Sequence, residues 1–207
     1  MTIETARLVL RPWTDRDRQP FAEMCSDPVF TEHLMPFASR AASDAWIDRQ
    51  MSHLAAHGFG FWAVAAKPGG GLVGAVGLRW VGYQAHFTPA VEIGWRVQRA
   101  FWGLGYAPEA AMASIMLGFD RWRLSEIVAN TTQANEKSRR VMSKLGMCHD
   151  ANDDFDHPLV PEGHPHRRQV LYRLPRNLYA SQRQPPEISR LPAALPRPAT
   201  APIPRTD

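Results

Sequence analysis

The feature that most constrains the fold is a strand, a glycine-containing loop, a long helix and a second strand in direct succession. Residues 90–97 and Glu126–Thr131 are predicted to be strands, and the segment after Ala107 is predicted to be a helix because its apolar residues recur at helical spacing. Two strands joined through a helix in one sheet run parallel. The sequence therefore requires one parallel pair near the middle of the chain.

The other segments predict a mixed sheet with flanking helices. Phe59–Ala66 and Leu72–Val81 flank a Pro-Gly-rich turn and predict an antiparallel hairpin. Three further helices and two terminal strands are predicted at Asp15–Ser26, Ser43–His57, Asn135–Leu145, Arg7–Arg11 and Arg168–Leu174. The predicted fold class is α/β, with a mixed, mostly antiparallel sheet of six to seven strands.

Length and composition predict one folded domain, residues 1–175, and a disordered Pro/Arg-rich tail, residues 176–207. A chain of 207 residues is long enough for one substantial core. Eight prolines from residue 175 onward and few apolar residues argue against a core in the tail. The formal charge is +4, of which +3 falls on residues 176–207, so the domain carries no strong basic excess and nucleic acid is not an expected partner.

The compartment expected from the sequence is the cytoplasm. The N-terminus MTIETARLVLRPW has charged residues where a secretory signal would be apolar, and no membrane-spanning stretch is present in the sequence. The cysteines, Cys25 and Cys148, do not form the spacing of a disulfide framework or redox pair.

The loop at residues 102–107 combines glycines with a helix start. Gly103 and Gly105 allow several backbone N–H groups to turn toward one point, and a helix beginning near Pro108 would add its unpaired N–H groups and positive dipole end. Such a loop binds a phosphate or pyrophosphate. A plain tight turn is an equally weighted alternative for a lone G-x-G pattern.

The same loop resembles the acyl-CoA signature Q/R-x-x-G-x-G/A of the GNAT superfamily of acetyltransferases, here Trp102, Gly105 and Ala107, with tryptophan in the first position. The W-G-x-G-Y-A form is similar to that of ribosomal-protein alanine and serine N-terminal acetyltransferases. The resemblance runs from about Glu4 to Leu174 and includes TARLVLRPW, VEIGWRV and ANEKSRRVMSKLGM.

This resemblance implies a three-layer fold in which the parallel strands splay apart, and an N-acetyltransferase that uses acetyl-CoA as cosubstrate and no metal. Transfer is expected by direct attack of a primary amine, on a protein N-terminus or a small molecule, in a ternary complex. No membrane partner is expected, and a homodimer is left open. The cofactor-binding residues implied are Trp95, Val97, Trp102, Gly103, Leu104, Gly105, Tyr106, Ala107, Asn135 and Ser138.

Ser138 is the first catalytic candidate. It lies on the apolar face of the predicted helix Asn135–Leu145, where a hydroxyl needs a hydrogen-bond partner. Back-bonding to the carbonyl of Ala134 or help in capping the helix would satisfy it structurally. The resemblance implies instead that Ser138 hydrogen-bonds the CoA sulfur and protonates the leaving thiolate, with Asn135 as helix N-cap and cofactor contact.

Glu92 is the second candidate, as general base for the acceptor amine. It shares a strand face with Gly94, which is expected to leave open volume, and with Arg96. An ion pair with Arg79 or Arg96 is the structural alternative. The His- and Asp-rich stretch 149–167 is expected to be a solvated loop bordering the acceptor cleft, and its Glu162 is the alternate base.

Two other classes of protein remain compatible with these motifs. One is a non-catalytic acyl-CoA-binding or regulatory module with the same fold. The other is a dinucleotide-binding protein, which the missing third glycine of G-x-G-x-x-G disfavours.

Overall fold

A mixed β-sheet forms the centre of the protein in the computed structural model, which describes residues 1–67 and 69–182. Its strands are β1 (Ile3–Glu4), β2 (Leu8–Arg11), β3 (Phe61–Ala66), β4 (Leu72–Trp80), β5 (Val91–Val97), β6 (Glu126–Thr132), β7 (Cys148–His149), β8 (Phe155–Asp156) and β9 (Arg168–Pro175). The helices are α1 (Asp15–Ser26), α2 (Pro28–Thr31), α3 (Arg40–His57), α4 (Tyr106–Asp120), α5 (Glu136–Lys144) and α6 (Arg176–Ser181).

The strand order confirms the predicted fold class. The sheet runs β1-β2-β3-β4-β5-β6-β9-β7, with β8 also paired to β9. In the described ranges β5 and β6 are parallel and the other pairings are antiparallel. The longer strands are the predicted ones. The additional strands β1, β7 and β8 have two residues each, too short for a sequence pattern to reveal.

The parallel pair opens toward its carboxyl end. β5 and β6 are in register at Glu92 and Val128, and no pairing continues beyond that point within the described residues. The rest of β5 is held by β4, and the rest of β6 by β9. The carboxyl-terminal halves of the two parallel strands therefore splay apart, as the family resemblance implies.

Alternation along the strands builds a core on each face of the sheet. Trp62, Val64 and Ile93 pack with α4 on one face, whereas Phe61 and Ala63 pack with α1 and α3 on the other. All six residues of β3 are buried, as expected for a strand covered on both sides. The protein thus has three layers.

A short helix follows residue 175, the predicted end of the domain. The chain continues as α6, whose Tyr179 is buried and stacks on Phe119 with ring centroids 4.5 Å apart. The sequence pattern missed this helix because six residues with one buried aromatic side chain have no measurable periodicity. The remainder of the predicted tail, residues 183–207, lies outside the described residues.

None of the helices within residues 1–67 and 69–182 has both the length and the apolar character that crossing a membrane requires.

Candidate active site

A cleft of about 330 Å³ opens where β5 and β6 separate. Its walls come from the 102–107 loop, the first residues of α4, one face of α5, and the segment around α2. The sequence-predicted residues that line it are Trp95, Val97, Trp102, Gly103, Gly105, Tyr106, Ala107, Asn135 and Ser138. Leu104 and Glu92 do not line it. Most of the predicted binding residues therefore converge on one cavity.

The 102–107 loop presents a run of free backbone donors. Gly103 and Gly105 both have φ of 78°, a left-handed conformation that favours glycine. Gly105 is the N-cap of α4, which begins at Tyr106, two residues before Pro108. The N–H groups of residues 103–107 have no acceptor among the described residues. Free N–H groups beside the positive end of a helix dipole are the arrangement that binds anions in other proteins.

Trp102 explains the departure from the Q/R-x-x-G-x-G/A pattern. Its indole Nε1 donates to the carbonyl oxygen of Val97 at 2.7 Å, which fixes the loop to the end of β5. The Lys137 ammonium lies 4.1 Å from the ring centroid. The aromatic side chain therefore has a structural role that does not obstruct the free N–H groups of the loop. Leu104 is half-exposed, and its carbonyl accepts a hydrogen bond from Arg7 at 2.8 Å.

The backbone of β5 offers an open edge to the cleft. The Gln98 N–H donates to the Val73 carbonyl at the end of the β4–β5 pairing. In an antiparallel pair, every second residue of a strand is hydrogen-bonded to the partner strand, and the residues between point their N–H groups to the other side. By this alternation Trp95 and Val97 direct their N–H groups away from β4, toward β6. Since β6 has already diverged, these two residues form an unpaired strand edge along the cleft.

Ser138 and Asn135 lie together at the start of α5. The Asn135 side chain accepts from the Ser138 N–H at 3.1 Å and donates to Thr131 Oγ1 at 2.9 Å, so Asn135 is the N-cap, as predicted. The Ser138 hydroxyl accepts from Trp95 Nε1 at 3.3 Å. No bond from Ser138 Oγ to the Ala134 carbonyl occurs in the described chain, so back-bonding does not occupy this hydroxyl.

Glu92 is buried and ion-paired. Its carboxylate accepts a short hydrogen bond from Arg79 Nε, which lies directly opposite on β4. Arg79 and Arg96 were the two possible ion-pair partners of Glu92, and in the structure Glu92 pairs with Arg79. The expected open volume above Gly94 is absent, because a Cβ there would lie 2.5 Å from Phe61 Cζ. The Phe61 ring therefore fills the space that the sequence left for a substrate.

The far end of the cleft contains residues that sequence reasoning missed. Glu32, His33, Leu34 and Arg96 line it. His33 Nδ1 lies 3.4 Å from Thr132 Oγ1 at the end of β6, and the Glu32 carbonyl contacts His166 Nε2 at 3.0 Å. Glu32, His33 and Leu34 lie in the turn after α2, a segment without periodicity, so no sequence signal could have grouped them with Arg96 of β5.

The 149–167 stretch is largely exposed, as the sequence predicted, but it is not a plain loop. It contains His149 of β7 and all of β8, and several of its carboxylates are paired, among them Asp153 with Arg173 at 2.7 Å and Asp154 with His149 at 2.8 Å. The Arg173 guanidinium holds the pKa of Asp153 below its usual range. No residue of this stretch lines the cleft, and Glu162 is exposed. Its ion pairs therefore have a structural role.

The state of Cys25 and the arrangement of possible metal ligands also bear on the chemistry. Burial raises the pKa of the Cys25 thiol to about 11, so that this side chain is protonated at neutral pH. In residues 1–67 and 69–182, no group of three or more His, Cys, Asp or Glu side chains is arranged to hold a metal ion.

Known proteins share both the sequence pattern and the architecture. The family model for the acetyltransferase (GNAT) domain matches residues 7–148. The FsC-acetyl coenzyme A-N(2)-transacetylase of Aspergillus fumigatus is 30% identical over 155 residues, covering 72% of this chain and 65% of that protein. A GNAT-family acetyltransferase structure from Bacillus anthracis has a TM-score of 0.69 and 24% identity, covering 84% of this chain and 98% of that one.

A second structure has a more specific name. The ribosomal-protein-S5-alanine acetyltransferase of Vibrio fischeri has a TM-score of 0.66 and 20% identity, covering 84% of this chain and 96% of that one. At this identity the likeness shows the fold. The family match and the cleft at the splayed strands together define an acyltransferase. The chain belongs to the GNAT acetyltransferase family.

Proposed function

We propose that this protein transfers the acetyl group of acetyl-CoA to a primary amine by direct attack in a ternary complex. The observation that carries the proposal is the run of free N–H groups at residues 103–107, placed at one end of a cleft that continues between β5 and β6. Residues 1–182 would form the catalytic unit. A cytoplasmic location is consistent with the proposed function, and the proposed reaction uses neither a metal nor nucleic acid.

The residues present fit a CoA pyrophosphate and pantetheine arm. The loop N–H groups would receive the pyrophosphate. Lys137, Arg140 and Lys144, which line the same end of the cleft and are exposed, would add positive charge near the phosphates. The unpaired edge of Trp95 and Val97 would pair with the amide groups of the pantetheine arm, as an added strand does.

Ser138 would act on the sulfur. When bound, acetyl-CoA supplies an activated acetyl thioester. Ser138 Oγ already accepts a hydrogen bond from Trp95, which leaves its own proton available for the thiolate that departs. The Val97 N–H would polarise the carbonyl oxygen. Both residues line the same cleft, so they can act on one substrate group.

Glu92 would remove the proton from the amine through a water molecule. An amine must be neutral to attack, whereas most amines are protonated at pH 7. Neither Glu92 nor Glu162 lines the cleft, but Glu92 lies on β5 three residues before the cleft-lining Trp95, whereas Glu162 lies in an exposed segment that contributes no residue to the cleft. These positions favour Glu92, or a water chain that ends at it, over Glu162.

Direct transfer is favoured over a covalent acyl-enzyme. Cys25 is buried and its pKa of about 11 keeps it as a poor nucleophile, and Cys148 is outside the cleft. Proximity of amine and thioester would then contribute most of the rate.

Two measurements test the proposal. In a thermal-shift series, acetyl-CoA should raise the melting temperature, whereas NAD and ATP should have little effect. Consumption of acetyl-CoA should then depend on added amine, with peptides and small amines as acceptors. Stabilisation by acetyl-CoA without turnover on any amine would instead indicate a non-catalytic acyl-CoA-binding module.

A further inference from the structure

Arg96 is a half-buried cation without an anionic partner in the described chain. Its side chain is mostly shielded from solvent, and its guanidinium lies 5.4 Å from the ring centroids of both Phe37 and Trp46. No hydrogen bond or ion pair from Arg96 to a described residue is formed. By contrast Arg11, Arg79 and Arg173 each bind a carboxylate. Because this guanidinium is partly withdrawn from water and has no acceptor among the described residues, it is suited to receive an anion.

The charges around Arg96 do not neutralise it. Glu92 lies four residues earlier on the same strand face, but Arg79 binds its carboxylate, so this face carries two arginines and one glutamate. Cys25, also close to Arg96, is held as the neutral thiol. Glu32 at the cleft mouth is exposed and lies 3.9 Å from His33. None of these neighbours therefore offers a free anionic group to Arg96.

The position of Arg96 separates it from the phosphate loop. Arg96 shares its strand face with Gly94. A Cβ at Gly94 would contact Phe61, which belongs to the core between the sheet and helices α1 and α3, so this face of β5 is directed toward those helices. The 102–107 loop leads into α4, which packs on the opposite side of the sheet. Arg96 nevertheless lines the cleft, between Trp95 and Val97. It therefore faces the side from which an acceptor would approach the open edge of β5.

We propose that Arg96 is the carboxylate-binding residue of the acceptor site, and that the acceptor is an amine bearing a carboxylate, such as a free amino acid. The inference rests on the proposed N-acetyltransferase function. The two aromatic faces orient the planar guanidinium, whose fork of donors matches the two oxygens of a carboxylate. A polyamine or aminoglycoside would bring further positive charge toward Arg96 and is disfavoured.

The first test compares matched acceptors with the wild-type protein. L-alanine, L-leucine and L-phenylalanine are assayed against their carboxamides, with rates compared per neutral amine over pH 7–9 because the amide lowers amine basicity. Loss of a charge-assisted, bidentate contact corresponds to about a 10- to 100-fold lower kcat/KM for each carboxamide. Equal kcat/KM within a pair, or preference for spermidine or an alanyl peptide, would overturn the proposal.

Variants assign the preference to Arg96. Arg96→Met should remove the carboxylate preference while leaving acetyl-CoA affinity unchanged, and Arg96→Lys should retain part of it. Arg121→Met is the matched control, since Arg121 lies over the Trp122 ring at 5.9 Å, away from the cleft. A carboxylate preference that persists in folded Arg96→Met would exclude Arg96 as its source.

A binding measurement separates this inference from the proposed function. The CoA-saturated protein is titrated calorimetrically with N-acetyl-L-leucine and with N-acetyl-L-leucinamide. The carboxylate should bind about 10-fold more tightly in the wild type and equally in Arg96→Met. If acetyl-CoA binds but no amine is acetylated, the proposed transfer fails, and this titration still decides the role of Arg96. Equal affinities in the wild type would contradict that role.

Discussion

The two ends of the cleft are built in different ways. At the loop end, consecutive backbone N–H groups at residues 103–107 form the proposed anion site, and two left-handed glycines set their direction. At the proposed acceptor end, side chains from β5 and from the turn after α2 line the cleft, among them Arg96 and His33. A backbone site tolerates changes in side-chain identity, whereas a side-chain site changes its ligand with one substitution. Members of one family can therefore share the cosubstrate and differ in acceptor.

Glu92→Gln gives the largest expected effect, at the acceptor end. If Glu92 removes the amine proton, kcat should fall by about 100-fold, and most at low pH, where more of the amine is protonated. Initial rates on one acceptor from pH 6 to 9 measure this. Glu126→Gln is the matched control, because Glu126 is a strand carboxylate bound to Arg173 at 2.8 Å, outside the cleft. A near-normal rate at pH 6 would remove Glu92 as the base.

Gly103→Val tests the loop end. A Cβ at Gly103 meets no atom within 4 Å, so valine would project into the space left for the pyrophosphate, and acetyl-CoA affinity should fall by about 30-fold or more. Gly163→Val is the control for backbone strain, because Gly163 has φ of 75° and equally open surroundings. Calorimetric titration of both variants with acetyl-CoA gives the two Kd values that are compared. Equal affinity in the two variants would show that the loop is only a turn.

Ser138→Ala tests a residue between the two ends. The hydrogen bond to sulfur strengthens as charge develops, so kcat should fall by about 10-fold while the Kd of acetyl-CoA stays constant. Ser143→Ala on the same helix is the control, since its hydroxyl only back-bonds to the Arg139 carbonyl at 3.1 Å. A fall in affinity with unchanged kcat would make Ser138 a binding residue instead.

Lys137→Met should give the smallest effect. Lys137 is exposed, so its attraction to phosphates is weakened by water and salt, and acetyl-CoA affinity should drop about two- to threefold at low salt and less at high salt. Lys67→Met, on the hairpin beside Glu4, is the control. A large, salt-independent loss would indicate that Lys137 makes a buried contact in the complex.

The sequence by itself determined the local features of this protein. The order of strands and helices required one parallel pair, and Gly103 and Gly105 with the following helix start predicted an anion-binding loop. Asn135 was also predicted to be a helix N-cap, because asparagine is favoured at that position. Each of these features depends on backbone geometry within a few consecutive residues, so short sequence patterns are enough to find it.

Only the tertiary structure decided what surrounds the reacting groups. It paired Glu92 with Arg79 across two strands, filled the space above Gly94 with Phe61, and placed Arg96 against Phe37 and Trp46. It also added α6 to the core beyond the predicted boundary. These contacts join residues far apart in the chain, and their geometry depends on how whole elements pack. A single sequence read for local patterns carries no signal for such distances, and so it predicted the cosubstrate loop but not the acceptor pocket.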